Sequence, residues 1–332
     1  MYEVHFDEQG QLANGSAIPI LKDTSDVLVL SHGWNNDAKE ARAMYFAMEA
    51  ELERFGAAPP LIGVFWPSKK FDSALATEFD AAVDSPMARQ ILVGAMRAAV
   101  PEIASLSVFH MLPVEILLRR LAGTQTLRQG LLNLSNVTTF YQMKERAGTI
   151  GSQGLAALLD EISDRYPAIR IHLAGHSFGA RLVTAAADAM KHPVRSLALL
   201  QGAFSHHGFA PSINGMPGGF RDVIGKRKVS GPIAATHTRN DQAVGLAYAL
   251  ASRVAGQEAA FLGDTNDRFG GIGSNGAVRT PEAVQKSLLP AGLKYEFAAG
   301  KIHNLRADTF VHSHSDILTP EIAWLLHDMM AA

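Results

Sequence analysis

The stretch Gly175-His176-Ser177-Phe178-Gly179 is where residue type and spacing speak most directly of chemistry. Gly-x-Ser-x-Gly on its own recurs in unrelated chains, so the context carries the weight. An apolar run from Ile169 to Ala174 precedes it and reads as a buried strand. A small-residue stretch with Ala180, Ala185, Ala186 and Ala187 follows and reads as a helix. A turn from strand to helix this sharp strains the backbone at the serine and leaves room only for small neighbours, hence the two glycines. The Ser177 hydroxyl is then pushed clear of the main chain at the carboxyl edge of a sheet, beside a helix N-terminus that favours developing negative charge. A covalent oxygen nucleophile needs that placement. The bland reading of the same residues is a Gly-rich turn with a capping serine. The chain has no cysteine, which excludes disulfides, thiol catalysis, iron–sulfur clusters and thiolate zinc sites.

Other chemistries are poorly supported. The elbow glycines do not form Gly-x-Gly-x-x-Gly and no P-loop is present, so no cofactor is expected. His206-His207 follows a strand on the edge where a site would lie, but no nearby carboxylate completes a familiar metal set, and a pocket-wall or surface role is expected. The Asp264 to Gly276 stretch resembles a calcium loop only in composition. It lacks the Asp spacing and final Glu of an EF-hand, and an irregular loop near the site mouth is expected. No metal site is expected.

The elements that must position Ser177 come from an alternation of short apolar runs with helical patterns. Asp26 to Leu30, Leu61 to Trp66, Ile169 to Ala174, Val194 to Leu200, Pro232 to Thr236 and Lys301 to Arg306 read as strands. The N-terminal Met1 to Glu8 also alternates like one. Ala38 to Phe55, Gln153 to Arg165, Phe178 to Met190, Asp241 to Arg253 and Pro320 to Met330 read as helices. This order predicts an α/β fold: a mostly parallel central sheet with helices on both faces. Residues 68–147 break the rhythm with helical pieces only, among them a segment opened by Ser85-Pro86. The expected organisation is therefore a core of residues 1–67 and 148–332 with a helical cap insertion at 68–147. The alternative is that these are ordinary covering helices.

With these motifs in this order, the chain resembles the α/β-hydrolase superfamily over nearly its whole length. The string His32-Gly33-Trp34-Asn35-Asn36 is similar to a largely uncharacterised bacterial branch with a His-Gly-aromatic-Asn-Asn oxyanion loop. The resemblance implies the order nucleophile, acid, histidine. The histidine is then expected after the last strand, where His312 and His314 both qualify. His314 is preferred because the run towards the last helix begins directly after it. His303, inside the strand, is a weaker candidate. The acid is expected two strands after the elbow, at Asp241. The segment after the intervening strand, Leu200 to Ser205, holds no carboxylate; Asp264, Asp267 and Asp308 are reserves. Asp241 could instead only cap the helix that follows. The resemblance assigns the oxyanion hole to the backbone N–H groups of Trp34 and Phe178. His32 is expected to be structural, and Asn35 and Asn36 to fix the turn.

These readings point to a serine hydrolase that cleaves carboxylic esters through a Ser-His-Asp triad and an acyl-enzyme. Val93, Met96, Ile103, Leu106, Phe109, Met111, Leu117 and Leu118 in the insertion suggest apolar acyl groups. Peptidase, amidase or acyltransferase activity would use the same parts. A non-catalytic binding protein on the same fold is the alternative from another class. The partner expected is a small-molecule ester or acyl substrate. Thirty Lys+Arg against thirty-two Asp+Glu in 332 residues make a nucleic-acid partner unexpected. The start is acidic and lacks a signal-peptide pattern. The apolar stretch from Ala98 to Leu118 is interrupted by Pro101, Glu102, His110, Pro113 and Glu115, so no integral membrane span is expected. A cytoplasmic location is the expectation. Nothing in the chain specifies an oligomeric state.

Overall fold

Runs of Val, Ile and Leu too short for helices become the strands of one sheet. The computed structural model describes residues 1–13, 15–16, 19–21, 24–68, 143–241, 244 and 270–332. In chain order the elements are β1 (Tyr2–His5), β2 (Asp26–Ser31), α1 (Ala38–Glu53) and β3 (Leu61–Phe65). After residue 142 come a helical run at 143–149, a π-helical turn (Ile150–Leu155), α2 (Ala156–Arg165), β4 (Arg170–His176), α3 (Phe178–Ala189) and β5 (Ser196–Leu200). Then follow α4 (Arg221–Gly225), β6 (Ile233–His237), α5 (Ile272–Asn275), β7 (Ala283–Ser287), β8 (Ile302–Arg306) and α6 (Pro320–Ala331). The strands lie in the order β1-β3-β2-β4-β5-β6-β8-β7, and every neighbouring pair is parallel. This is the parallel α/β architecture that the alternation predicts, in the arrangement expected from the α/β-hydrolase resemblance.

Strand side chains alternate between two cores. Val27, Val29, Ile171, Leu173, Leu197 and Leu199 pack with α2 and α3 through Leu158, Leu159, Ile162, Leu182 and Val183. Leu28, Leu30, Ala174, Ala198 and Leu200 pack on the other face with α1 and α6 through Tyr45, Met48, Ile322, Leu325 and Met329. Strands buried on both faces explain why they read as continuous apolar runs. The helices begin where their caps dictate. Asp37 and Glu40 form a reciprocal capping box on α1, and Thr319 caps α6 with Pro320 in its first turn.

Three features differ from the sequence reading. The helix expected from Gln153 begins earlier: residues 143–149 and the π turn lead into α2 without a break. Met143, Ala147 and Ile150 are fully buried in the α3-side core, so the core resumes by residue 143, inside the stretch assigned to the insertion. Glycines allow this close approach: a Cβ on Gly151 would lie 2.1 Å from the Leu182 carbonyl oxygen. The polar edge strand β7, which carries no apolar run, was not expected. The remainder of the proposed insertion, 69–142, with all its candidate acyl-pocket residues, lies outside the described residues. So does all of the Asp241–Arg253 helix except Asp241 and Val244. Among the described residues, no helix is long and apolar enough to cross a membrane.

The chain runs from β2 outwards to β3, then returns to the other side of β2 as β4. The carboxyl ends of β2 and β4 therefore flank a topological switch point, where open parallel sheets form crevices.

Candidate active site

β4 ends at His176, and α3 begins at Phe178, so Ser177 alone makes the turn. Its backbone sits at φ 57° and ψ −122°, a conformation that L residues rarely adopt and that costs on the order of 1–3 kcal/mol. Hydrogen bonds hold it there. Ser177 N–H donates to the Leu200 carbonyl at 3.1 Å, and its own carbonyl accepts from Ala180 and Ala203 N–H at 3.1 and 3.0 Å. Both motif glycines are required by space. A Cβ on Gly175 would lie 2.3 Å from the Gly179 carbonyl oxygen, and one on Gly179 would lie 2.3 Å from that of Ser31.

The structure brings the three sequence-nominated polar residues into one chain of hydrogen bonds. Ser177 Oγ lies 2.8 Å from His314 Nε2, and His314 Nδ1 lies 2.8 Å from Asp241 Oδ2. The Asp241 side chain is wholly buried, whereas His314 is 21% exposed. Asp241 also does what a cap would do, since its Oδ1 accepts from Val244 N–H at 2.8 Å. The two roles use different oxygens and do not compete. The loops carrying acid and base are laced together: Thr238 Oγ1 and Asn240 Nδ2 both donate to the Val311 carbonyl, at 3.2 and 3.0 Å.

His312 is exposed, and its N–H donates to Asp316, so it is not brought to Ser177. His303 is buried in β8, where its Nε2 accepts from Ala298 N–H. Asp308 accepts from Arg239 N–H and braces the loop of Asp241. Asp264 and Asp267 lie outside the described residues. His206 and His207 are buried rather than at the surface, with their Nε2 atoms 3.0 Å apart. Among the described residues, no group of three or more His, Asp or Glu is arranged to hold a metal ion.

Trp34 lies in the turn after β2, and Phe178 opens α3; their rings are 6.1 Å apart. The turn passes directly over the nucleophile: a Cβ on Gly33 would lie 2.7 Å from Ser177 Cβ. His32 Nδ1 donates to the Gly33 carbonyl at 2.9 Å, and Asn36 Nδ2 donates to the same oxygen at 3.3 Å. The peptide is trans, so a carbonyl anchored on that side turns Trp34 N–H to the opposite side. Burial pushes His32 down to about 4, against the raising effect of the Gly33 carbonyl, so the ring is neutral. Tyr45 clamps the turn from below. Its hydroxyl accepts from His32 N–H at 2.9 Å and donates to the Val64 carbonyl at 2.5 Å. Asn35 adopts φ 62°, and Asn36 donates its amide to the Gly33 and Trp34 carbonyls, so the backbone of Asn35 and the side chain of Asn36 build the turn.

Sequence reasoning missed His176, the variable position before the serine. It is buried, and its Nε2 donates to the His314 carbonyl at 2.8 Å, tying the base loop to the elbow. Burial first, then the neighbouring His314, push His176 down to about 3. A neutral ring with its proton on Nε2 is what this contact requires. Its place inside the motif was the available signal, but no spacing rule specifies a partner for that position.

No family model matches the chain. No curated protein matches it either. Two solved structures align with it. TT1662 from Thermus thermophilus is 13% identical over 92% of this chain and 87% of its own, with a TM-score of 0.36. The lin2722 product from Listeria innocua is 10% identical over 65% of this chain and 71% of its own, with a TM-score of 0.29. The fold class rests on the sheet order and register given above.

Proposed function

We propose that this protein is a serine hydrolase of the α/β-hydrolase type that cleaves carboxylic esters. One observation carries the reading: the unbroken relay from Ser177 Oγ through His314 to Asp241, with a 2.8 Å bond on each side of the imidazole. In this mechanism Ser177 Oγ attacks the ester carbonyl as His314 Nε2 takes its proton. Asp241 holds Nδ1–H and so fixes the tautomer and stabilises the imidazolium. The backbone N–H groups of Trp34 and Phe178 receive the oxyanion of the tetrahedral intermediate. His314 gives its proton to the departing alkoxide, leaving an acyl-Ser177. It then takes a proton from water, which attacks the acyl carbon, and returns it to Ser177 Oγ as the acyl–oxygen bond breaks and the acid is freed. An ester is favoured over an amide because an alkoxide leaves more readily than an amine.

Turnover of p-nitrophenyl esters tests this reading. The wild-type protein is expected to hydrolyse them, and Ser177→Ala and His314→Ala to lose at least about 10⁴-fold in kcat. His312→Ala is expected to keep wild-type rates. Rising turnover from acetate to longer acyl chains would support an apolar acyl site. Full activity in Ser177→Ala would overturn the reading.

A further inference from the structure

A second concavity lies behind the loops that carry Asp241 and His314. It is a groove of about 1010 Å³ at the ends of β6, β8 and β7, walled on its other side by α5 and the segment after it. Its lining includes Arg239, Arg279, Lys286 and Arg306 against a single carboxylate, Asp308. The chain as a whole carries a formal charge of −2, so this concentration of positive charge is local and not compositional. Neighbouring acid does not neutralise it. Glu282 has both oxygens taken by Arg221, at 2.8 and 2.6 Å. Among the described residues, no ion pair engages Arg239, Arg279 or Arg306.

These features select for one kind of ligand. Guanidinium groups match the oxygens of a phosphoryl group in paired hydrogen bonds. The volume exceeds what a bare phosphate fills and suits a drug-sized molecule. We propose that this groove is a binding site for a soluble, phosphoryl-bearing small molecule, its phosphoryl oxygens received by Arg239, Arg279 and Arg306. The site stands apart from Ser177 and does not depend on the ester-hydrolase reading.

Calorimetric titration of the full chain with inorganic pyrophosphate, at fixed physiological ionic strength, tests it. Arg279→Gln and Arg306→Gln change exposed side chains, and an unchanged melting temperature would confirm that each variant folds. Arg54→Gln, on α1's far end, is the control. The expected result is one saturable site, weakened at least about tenfold in each groove variant and unchanged in Arg54→Gln. Citrate should bind more weakly than pyrophosphate. The proposal is overturned by absence of saturable binding, by equal loss in Arg54→Gln, or by citrate binding as tightly. Binding of phosphatidic acid vesicles without binding of pyrophosphate would also overturn it.

Discussion

Gly33→Ala is a small change whose effect can be worked from distances. The added methyl would lie 2.7 Å from Ser177 Cβ, 3.2 Å from His176 Nδ1 and 3.3 Å from the His176 carbonyl oxygen. Carbon atoms in contact rest about 3.5–4.0 Å apart, so the turn must lift by about 0.8 Å or more. None of these neighbours can retreat easily. Ser177 is pinned by three backbone bonds, and His176 is buried and bonded to His314. In the proposed mechanism, the lift carries Trp34 N–H away from where the oxyanion forms. A displacement near 1 Å costs about 10²-fold in rate, and full loss of one oxyanion donor costs about 10²–10³-fold. If the turn holds its place instead, the overlap should appear as about 1–3 kcal/mol of lost stability. The assay is kcat and KM on p-nitrophenyl acetate, paired with urea unfolding. Gly219→Ala serves as control, since nothing lies within 4 Å of its added methyl. The expected outcome is a fall in kcat of about 10²-fold with KM little changed. A variant with kcat within about threefold of wild type and the same unfolding midpoint would refute the placement of this turn over Ser177.

Two further expectations follow from the same geometry. Asp241→Asn keeps size and shape but removes the charge that fixes the His314 tautomer, so kcat should fall about 10⁴-fold while the unfolding midpoint moves little; steady-state kinetics beside urea unfolding checks both. Acid should destabilise the fold in a set window. His32 and His176 are held at about 4 and about 3 by burial, below their ordinary value of 6.5, so the unfolded chain binds protons that the folded one refuses. Their contribution is complete above pH 6.5 and is lost as pH falls towards 4, by on the order of 1.4 kcal/mol per pH unit for each histidine. Urea unfolding between pH 7 and 4 measures it, and His176→Gln should flatten the slope; an equal slope in that variant would count against a buried neutral His176.

The parts of the site that were legible in the sequence are those written in backbone geometry. Gly175 and Gly179 mark a place where no Cβ fits, and Ser177 between them could be read as the turn itself. Asp241 and His314 were nominated by their position after strands, and their partnership depends on parallel crossovers that bring residues 73 apart to 2.8 Å. Strands buried on both faces were equally plain, because two cores demand apolar side chains in both directions. What stayed hidden depends on contacts without local pattern. His176 owes its role to a carbonyl 138 residues away. The strand β7 is a polar edge that needs no apolar run. The helical run at 143–149 was absorbed into a stretch that had no strand to mark its limit. The arginines of the groove, at 239, 279 and 306, meet only because β6 and β8 are neighbours in the sheet.

The central claim is that Ser177 is a covalent nucleophile activated by His314. It is tested most directly by treating the protein with a fluorophosphonate and locating the adduct by mass spectrometry of its peptides. The account predicts a single adduct on the peptide containing Ser177, abolished in Ser177→Ala and strongly slowed in His314→Ala. An unmodified wild-type protein, or an adduct on another residue, would contradict it.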